Sequence, residues 1–232
     1  MKLEILPLEG IGVVGETDDT AAVLAPALEP LAPNDGDVLV VTHKIVSKAE
    51  GAVRKIVGDS EVFKRALVEE VARSIVRRRG DLIIAETKHG FVCANAGVDR
   101  SNAAEGTMIL LPEDPDRSAH RIRNRLRQLM GVDLAVVISD TFGRPWRKGL
   151  TDVAIGISGL VPILDLKGTR DWSGYELDVT EVAVADELAA AADLVMGKAS
   201  GIPAALIKGY QGPRGEGRAS ELVRPVDEDL FR

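Results

Sequence analysis

Residues 139–156, SDTFGRPWRKGLTDVAIG, carry the densest mix of chemically useful side chains in the protein. An apolar run, Ala135 to Ile138, leads into Asp140 and Thr141. Gly143 follows, then Arg144, Arg147 and Lys148, and a second apolar run begins at Val153. Hard divalent cations want oxygen ligands, and magnesium typically takes one or two carboxylates plus waters and substrate phosphates. Guanidinium groups grip phosphate oxygens bidentately. Exposed ion pairs contribute only about 0–1 kcal/mol. A carboxylate this close to several cations therefore makes more sense around a metal–polyphosphate than as a stabilising loop. A surface loop with incidental ion pairs is the alternative. Asp140 is expected to close a buried strand and project at a sheet end, with a glycine turn after it.

Two other stretches offer matching chemistry. THKIVSKAEG (42–51) places His43, Lys44 and Lys48 just past a buried strand, with Lys48 as a phosphate-reaching lysine or a solvated one. ANAGVDRSN (94–102) offers Asp99 and Asn102 in a glycine-containing loop. Loops held by a rigid sheet are where sites concentrate, although both residues suit an Asx-turn equally well. Gly10-Ile11-Gly12-Val13-Val14-Gly15 is a formal dinucleotide fingerprint. It lacks the helix that should open inside the motif, and the next strand ends Val41-Thr42-His43-Lys44 without the expected acid. A glycine-rich loop touching some phosphate remains reasonable. Cys93 sits in an apolar strand and reads as a core residue. Arg117, Arg121 and Arg125 recur at helical spacing and read as a solvated face that could alternatively hold phosphates.

The elements that must position these residues follow from periodicity. The 232 residues are 45% hydrophobic and 3% aromatic, so the core is built of Val, Ile, Leu and Ala. A net charge of −7 and few aromatics argue against a nucleic-acid partner. One cysteine excludes an internal disulfide framework. No apolar run approaches the ~20 residues of a membrane span. The expectation is a soluble cytoplasmic protein. KLEILPLE, DVLVVT, DLIIAE, GFVCANAG, TMILLP, DLAVVIS, DVAIGIS and GIPAALIKG read as strands. TAAVLAPALEPLA, residues 60–79, SAHRIRNRLRQLM and residues 180–196 read as helices, the second capped by Ser60 and followed by Gly80. The class is mixed α/β (α+β), a single domain over 1–232 in two interleaved lobes with mixed sheets. The tail 210–232 is expected to be loosely held, apart from a short helix at 220–223.

LPLEGIG, DVLVVTHKIVSKAEG, VCANAGVDRSN, ISDTFGRPWRKGLTDVAIGISG and GIPAALIKG, in this order, resemble the coenzyme F-420-0:L-glutamate ligase family over about residues 3–209. The resemblance implies an unusual α/β topology and an intertwined homodimer. It implies GTP and a divalent metal, Mg or Mn with K in some members, used to join L-glutamate to the terminal carboxylate of F-420-0 and then to add a second, γ-linked glutamate. It places Glu9, Gly10, Ile11, Gly12, His43, Lys44, Lys48 and Asn102 at the nucleotide, metal at Asp99 and Asp140, and a second metal at Thr141. The loop Gly197, Lys198, Ala199, Ser200, Gly201, Ile202 corresponds to a further nucleotide contact. This sequence departs there, with Lys198 and Ala199 where archaeal relatives carry acid and extra glycine. Such chemistry would pass a phosphoryl group from GTP to the precursor carboxylate, releasing GDP, and let the glutamate amine displace phosphate from the acyl phosphate. Arg144 and Arg147 would balance phosphate charge. A non-catalytic GTP- and metal-binding regulator and a dinucleotide-dependent oxidoreductase are the competing readings.

Overall fold

The computed structural model describes residues 2–230. Its centre is a five-stranded mixed sheet in the order β1-β12-β2-β8-β9. The strands are β1 (Glu4–Pro7), β2 (Val38–Thr42), β8 (Ala135–Arg144), β9 (Arg147–Ser158) and β12 (Ala204–Lys208). Strands β2 and β8 pair in parallel and all other neighbours are antiparallel. The continuous apolar runs Val38–Val41 and Ala135–Ile138 are fully buried. Strands covered on both faces read as unbroken hydrophobic stretches rather than as alternation. Helices α1 (Thr20–Leu28), α4 (Pro115–Met130) and α5 (Val184–Met196) pack with this sheet in one core.

The helix ends obey local capping chemistry. Asp19 accepts from the amides of Ala21 and Ala22 at the start of α1. Asp114 caps α4, Pro115 occupies its first position, and Gly131 ends it at φ 74°. Between β2 and α4 the chain makes α2 (His43–Ala49) and then a second body with its own small core of Leu67, Val68, Ile83, Ala85, Ala96, Val98 and Met108. That body contains β3 (Val53–Lys55) paired with β7 (Thr107–Ile109), helix α3 (Ser60–Val71), and the antiparallel sheet of β4 (Ala72–Arg79), β5 (Leu82–Thr87) and β6 (Val92–Ala94). A short pair, β10 (Leu164–Asp165) and β11 (Glu181–Val182), completes the strands.

Three expectations need correction. The helix over 60–79 stops at Val71, and Ala72–Arg79 is strand β4. It is joined to β5 through the two-residue turn Gly80-Asp81, with Gly80 at φ 58°. Glycine at the first central position is a hairpin signal, and β-branched Ile75 and Val76 accept the strand. The N-cap of α3 is Asp59, not Ser60: its carboxylate accepts from the amides of Glu61 and Val62. The third concerns the motif 139–156. Gly143 does not turn the chain; it lies within β8 opposite Leu150, and Asp140 pairs with Val153 inside the same ladder. The hairpin runs on to Pro145-Trp146, where Trp146 takes φ 63°. Proline followed by a residue of positive φ is the signature of a type II turn.

The tail is better anchored than expected. Gly217 N donates to Leu160 O at 3.2 Å, Ala219 N to Asp116 Oδ1 at 3.0 Å, and Ala219 is buried. The short helix there is a 3-10 turn, Ala219–Leu222.

Candidate active site

One end of the central sheet gathers most of the residues singled out above. The parallel strands β2 and β8 end side by side there, Thr42 beside Ser139. Strand β1 finishes at Pro7 opposite Ala205, close to where β12 begins. Thr42 N donates to Pro203 O at 2.9 Å and Leu8 N to Ala204 O at 2.9 Å. Glu9–Gly12, His43 and Gly197–Ile202 therefore leave the sheet at the same end, where β8 runs on past β2 through Asp140 and Thr141. In α/β sheets this carboxyl end of parallel strands is where ligands bind.

Helix α2 begins directly at the end of β2, so His43 and Lys44 sit in its first turn. His43 is buried, its Nδ1 is 3.2 Å from Ser47 Oγ, and its Nε2 is 3.3 Å from Asp140 Oδ1. That Nε2 makes no aligned hydrogen bond. Asp140 Oδ1 also accepts from Thr141 N at 2.7 Å. Lys44 Nζ donates to Asp99 Oδ2 at 2.6 Å and contacts Ser101 Oγ. Two adjacent residues thus contact the two aspartates, one from each body, and only the Lys44 contact is a hydrogen bond. Asp99 also makes the local turn, accepting from Ser101 N at 2.9 Å. Burial pushes the Asp99 carboxyl up, but Lys44 and Ser101 outweigh it and hold it at about 2. Lys48 lies one turn beyond Lys44 on the same helical face. Burial and then the neighbouring Lys44 charge lower its pKa.

A second cluster adjoins the first. Asp152 of β9 is buried. Its Oδ2 accepts from Ser139 Oγ at 2.9 Å and its Oδ1 from Thr141 Oγ1 at 2.6 Å. Lys198 Nζ completes the set at 2.5 Å from Thr141 Oγ1, 2.8 Å from Asp152 Oδ1 and 2.9 Å from Asp193 Oδ1. A β-bulge between Ile138 and Ser139 lies at this point of the ladder, where such irregularities re-aim side chains. Sequence reasoning missed Asp152, although a charged residue at the head of the apolar run of β9 was a visible signal. Asp193, Ser47 and Ser101 carried no signal of their own.

Other expected residues stand apart. Arg144 and Arg147 are at the exposed hairpin tip, and Arg144 donates to Lys148 O at 3.2 Å, not to the aspartates. Asn102 is exposed at φ 57°. Glu9 and Gly10 are exposed, whereas Ile11 packs against the main core. The formal fingerprint at Gly10–Gly15 forms a loop that ends before α1, so no helix terminus opens inside it. Cys93 is buried, and burial first, then the Asp140 charge, pushes its thiol up to about 12. Arg117, Arg121 and Arg125 are exposed, as a solvated face would be, and line an open cleft of about 1190 Å³. Arg121 pairs there with Glu50 and Arg125 with Asp19, both at 2.8 Å. That cleft opens beyond the other end of α2, at Ala49–Ala52, and neither Asp99 nor Asp140 lines it.

Among the described residues no group of three or more His, Cys, Asp or Glu side chains forms a ready metal cage. A hard divalent ion that keeps its waters and a ligand's phosphates needs only one or two carboxylates. Asp140 Oδ2 accepts no hydrogen bond among the described residues, and Asp99 has one of about four lone-pair positions left. Asp140, with the orphaned His43 Nε2 beside it, and Asp99 each have oxygen capacity that fits such an ion. No helix among the described residues is long and apolar enough to cross a membrane.

Comparison with known proteins gives a consistent result. The profile of the F420-0:Gamma-glutamyl ligase family matches residues 10–209. The chain is 45% identical to the coenzyme F420:L-glutamate ligase of Methanothermobacter thermautotrophicus over 100% of both proteins. It is 44% identical to that of Methanopyrus kandleri, covering 100% of this chain and 98% of the relative. The Methanocaldococcus jannaschii enzyme is 45% identical over 85% of each.

Proposed function

The chain belongs to the F420-0:gamma-glutamyl ligase family, and from that premise we propose that it is a GTP- and divalent-metal-dependent ligase that forms an amide between L-glutamate and the terminal carboxylate of F-420-0. A second, γ-linked glutamate is added in the same way. The observation that supports this reading is that adjacent residues of α2, at the carboxyl end of β2, contact the two aspartates Asp140 and Asp99.

A carboxylate does not react with an amine until its oxygen becomes a leaving group. In the proposed sequence an oxygen of the F-420-0 carboxylate attacks the γ-phosphorus of GTP. The bond from that phosphorus to the β-phosphate oxygen breaks and GDP leaves. The glutamate nitrogen then attacks the acyl carbon, the carbon–oxygen bond to phosphate breaks, and the nitrogen loses a proton. Phosphoryl transfer asks the protein mainly for alignment and charge neutralisation. Asp140 and Asp99 would hold Mg or Mn, which supplies charge at the phosphates. Lys48, a half-buried cation at the same helix face, suits phosphate oxygens once a ligand replaces water. Glu9–Gly12 and the loop 197–202 flank the space at the sheet end and are suited to the nucleotide.

Arg144 and Arg147 belong to this reading only if the hairpin reaches another active site. The β8–β9 tip carries exposed Trp146 (87%) and Leu150 (67%) beside those arginines. Exposed large apolar groups on a projecting arm are typical of an interface. We include a homodimer in the proposal, with the arm of one copy serving the phosphate end of the other.

Incubation with F-420-0, GTP, L-glutamate and Mg or Mn, followed by mass spectrometry, tests the reading. Added glutamyl units with stoichiometric GDP and phosphate are expected. GTP binding without any release of phosphate would instead identify a regulator.

A further inference from the structure

The ammonium of Lys198 lies where three oxygens converge: Thr141 Oγ1 at 2.5 Å, Asp152 Oδ1 at 2.8 Å and Asp193 Oδ1 at 2.9 Å. A lysine has three N–H donors. Two of them are hydrogen-bonded, and Asp193 Oδ1 is a close ion-pair neighbour without hydrogen-bond alignment. The side chain of Asp152 is only 4% exposed. A buried carboxylate demands a compensating positive charge, and among the described residues the cation in contact with Asp152 is Lys198. Its other donors, Ser139 and Thr141, are neutral hydroxyls. Thr141 is already committed, donating to Asp152 and accepting from Lys198, so its hydroxyl has little capacity left for a metal ion.

We propose that Lys198 is a built-in monovalent cation, its ammonium filling an oxygen-lined position at Thr141, Asp152 and Asp193 that would otherwise take a metal ion. The site then needs an external divalent ion only on the Asp140 and Asp99 side. Because the ammonium is tethered to the loop 197–202, the same contact pins that loop against the strand carrying Asp140 and Thr141.

Replacing the ammonium by an isosteric apolar chain, Lys198→Met, leaves the carboxylate and opens the position. Melting temperature is measured against KCl and against MnCl2, for the wild type and the variant, without substrate. The variant should lose several degrees at low salt and regain them saturably with K+ or Mn2+, and electron paramagnetic resonance should count one more bound Mn2+ per chain where Mn2+ is the rescuing ion. A variant that responds to both ions as the wild type does would overturn the proposal. Should Lys198→Met fail to fold in every buffer, Asp152→Asn with Lys198→Met decides, because it removes the carboxylate together with its partner. A stable, ion-indifferent double variant supports the proposal, and one no better folded than the single variant overturns it. These readouts are independent of ligase activity, so a failure of the functional reading would be seen separately.

Discussion

His43 Nε2 stands 3.3 Å from Asp140 Oδ1, the imidazole buried and the carboxylate partly exposed. The contact joins the first residue of a helix to the middle of a strand that pairs with the one before it. It sets the imidazole against Oδ1, while Oδ2 accepts no hydrogen bond among the described residues. His43→Ala should therefore keep the fold but weaken Mn2+ binding by about 10–100-fold, as loss of an orienting partner does. Mn2+ titration followed by electron paramagnetic resonance measures this.

Asp140→Asn keeps shape and removes charge. Ligase turnover should fall by about 10²-fold or more, in the range seen when one preorganised electrostatic group is lost. The circular dichroism spectrum should be unchanged. Steady-state rates near the wild-type value would refute the assignment of Asp140.

Asp99 gives a pH prediction. Its folded-state pKa, about 2, lies below the ordinary value near 3.9. Its stabilising contribution is present above roughly pH 4 and is lost as the pH falls toward 2. Lys44→Met removes the principal group holding the carboxyl down, so the Asp99 pKa should rise, and with it the acid limb of Mn2+ binding. Carboxyl carbon shifts in an NMR titration report the change directly, and an unmoved Asp99 titration would contradict the role given to Lys44.

Gly156 has no room for a side chain. A Cβ there would come within 2.4 Å of Pro115 O, the backbone at the start of α4. Gly156→Ala should cost about 1–3 kcal/mol through overpacking, lowering Tm by roughly 2–4 °C per kcal/mol in a chain of this size. Calorimetry tests this.

The hairpin tip separates folding from assembly. Trp146→Ser with Leu150→Ser touches exposed positions, so monomer stability should stay within about 0.5 kcal/mol. Light scattering should show loss of the dimer, and activity should fall with it. An active, stable dimer carrying both changes would remove the arm from the proposed mechanism.

Much of the architecture is legible in the order of residues. Val38–Val41 and Ala135–Ile138 are too uniformly apolar to lie anywhere but in a doubly covered sheet, and Asp114-Pro115 and Gly131 bracket α4 by local backbone chemistry. The side chains suited to metal and phosphate, Asp99, Asp140, Lys44 and Lys48, were likewise visible as residue types beside those strands. Long-range geometry decided the rest. At Ala72 a helical period gives way to a strand because β5 offers a ladder that local propensity cannot register. Arg144 and Arg147 move away from Asp140 because β8 and β9 keep pairing past the core. The partnership of Lys198 with Asp152, 46 residues apart, has no local signature at all, since a buried charge selects its counter-charge by proximity in space and chain separation carries no information about that.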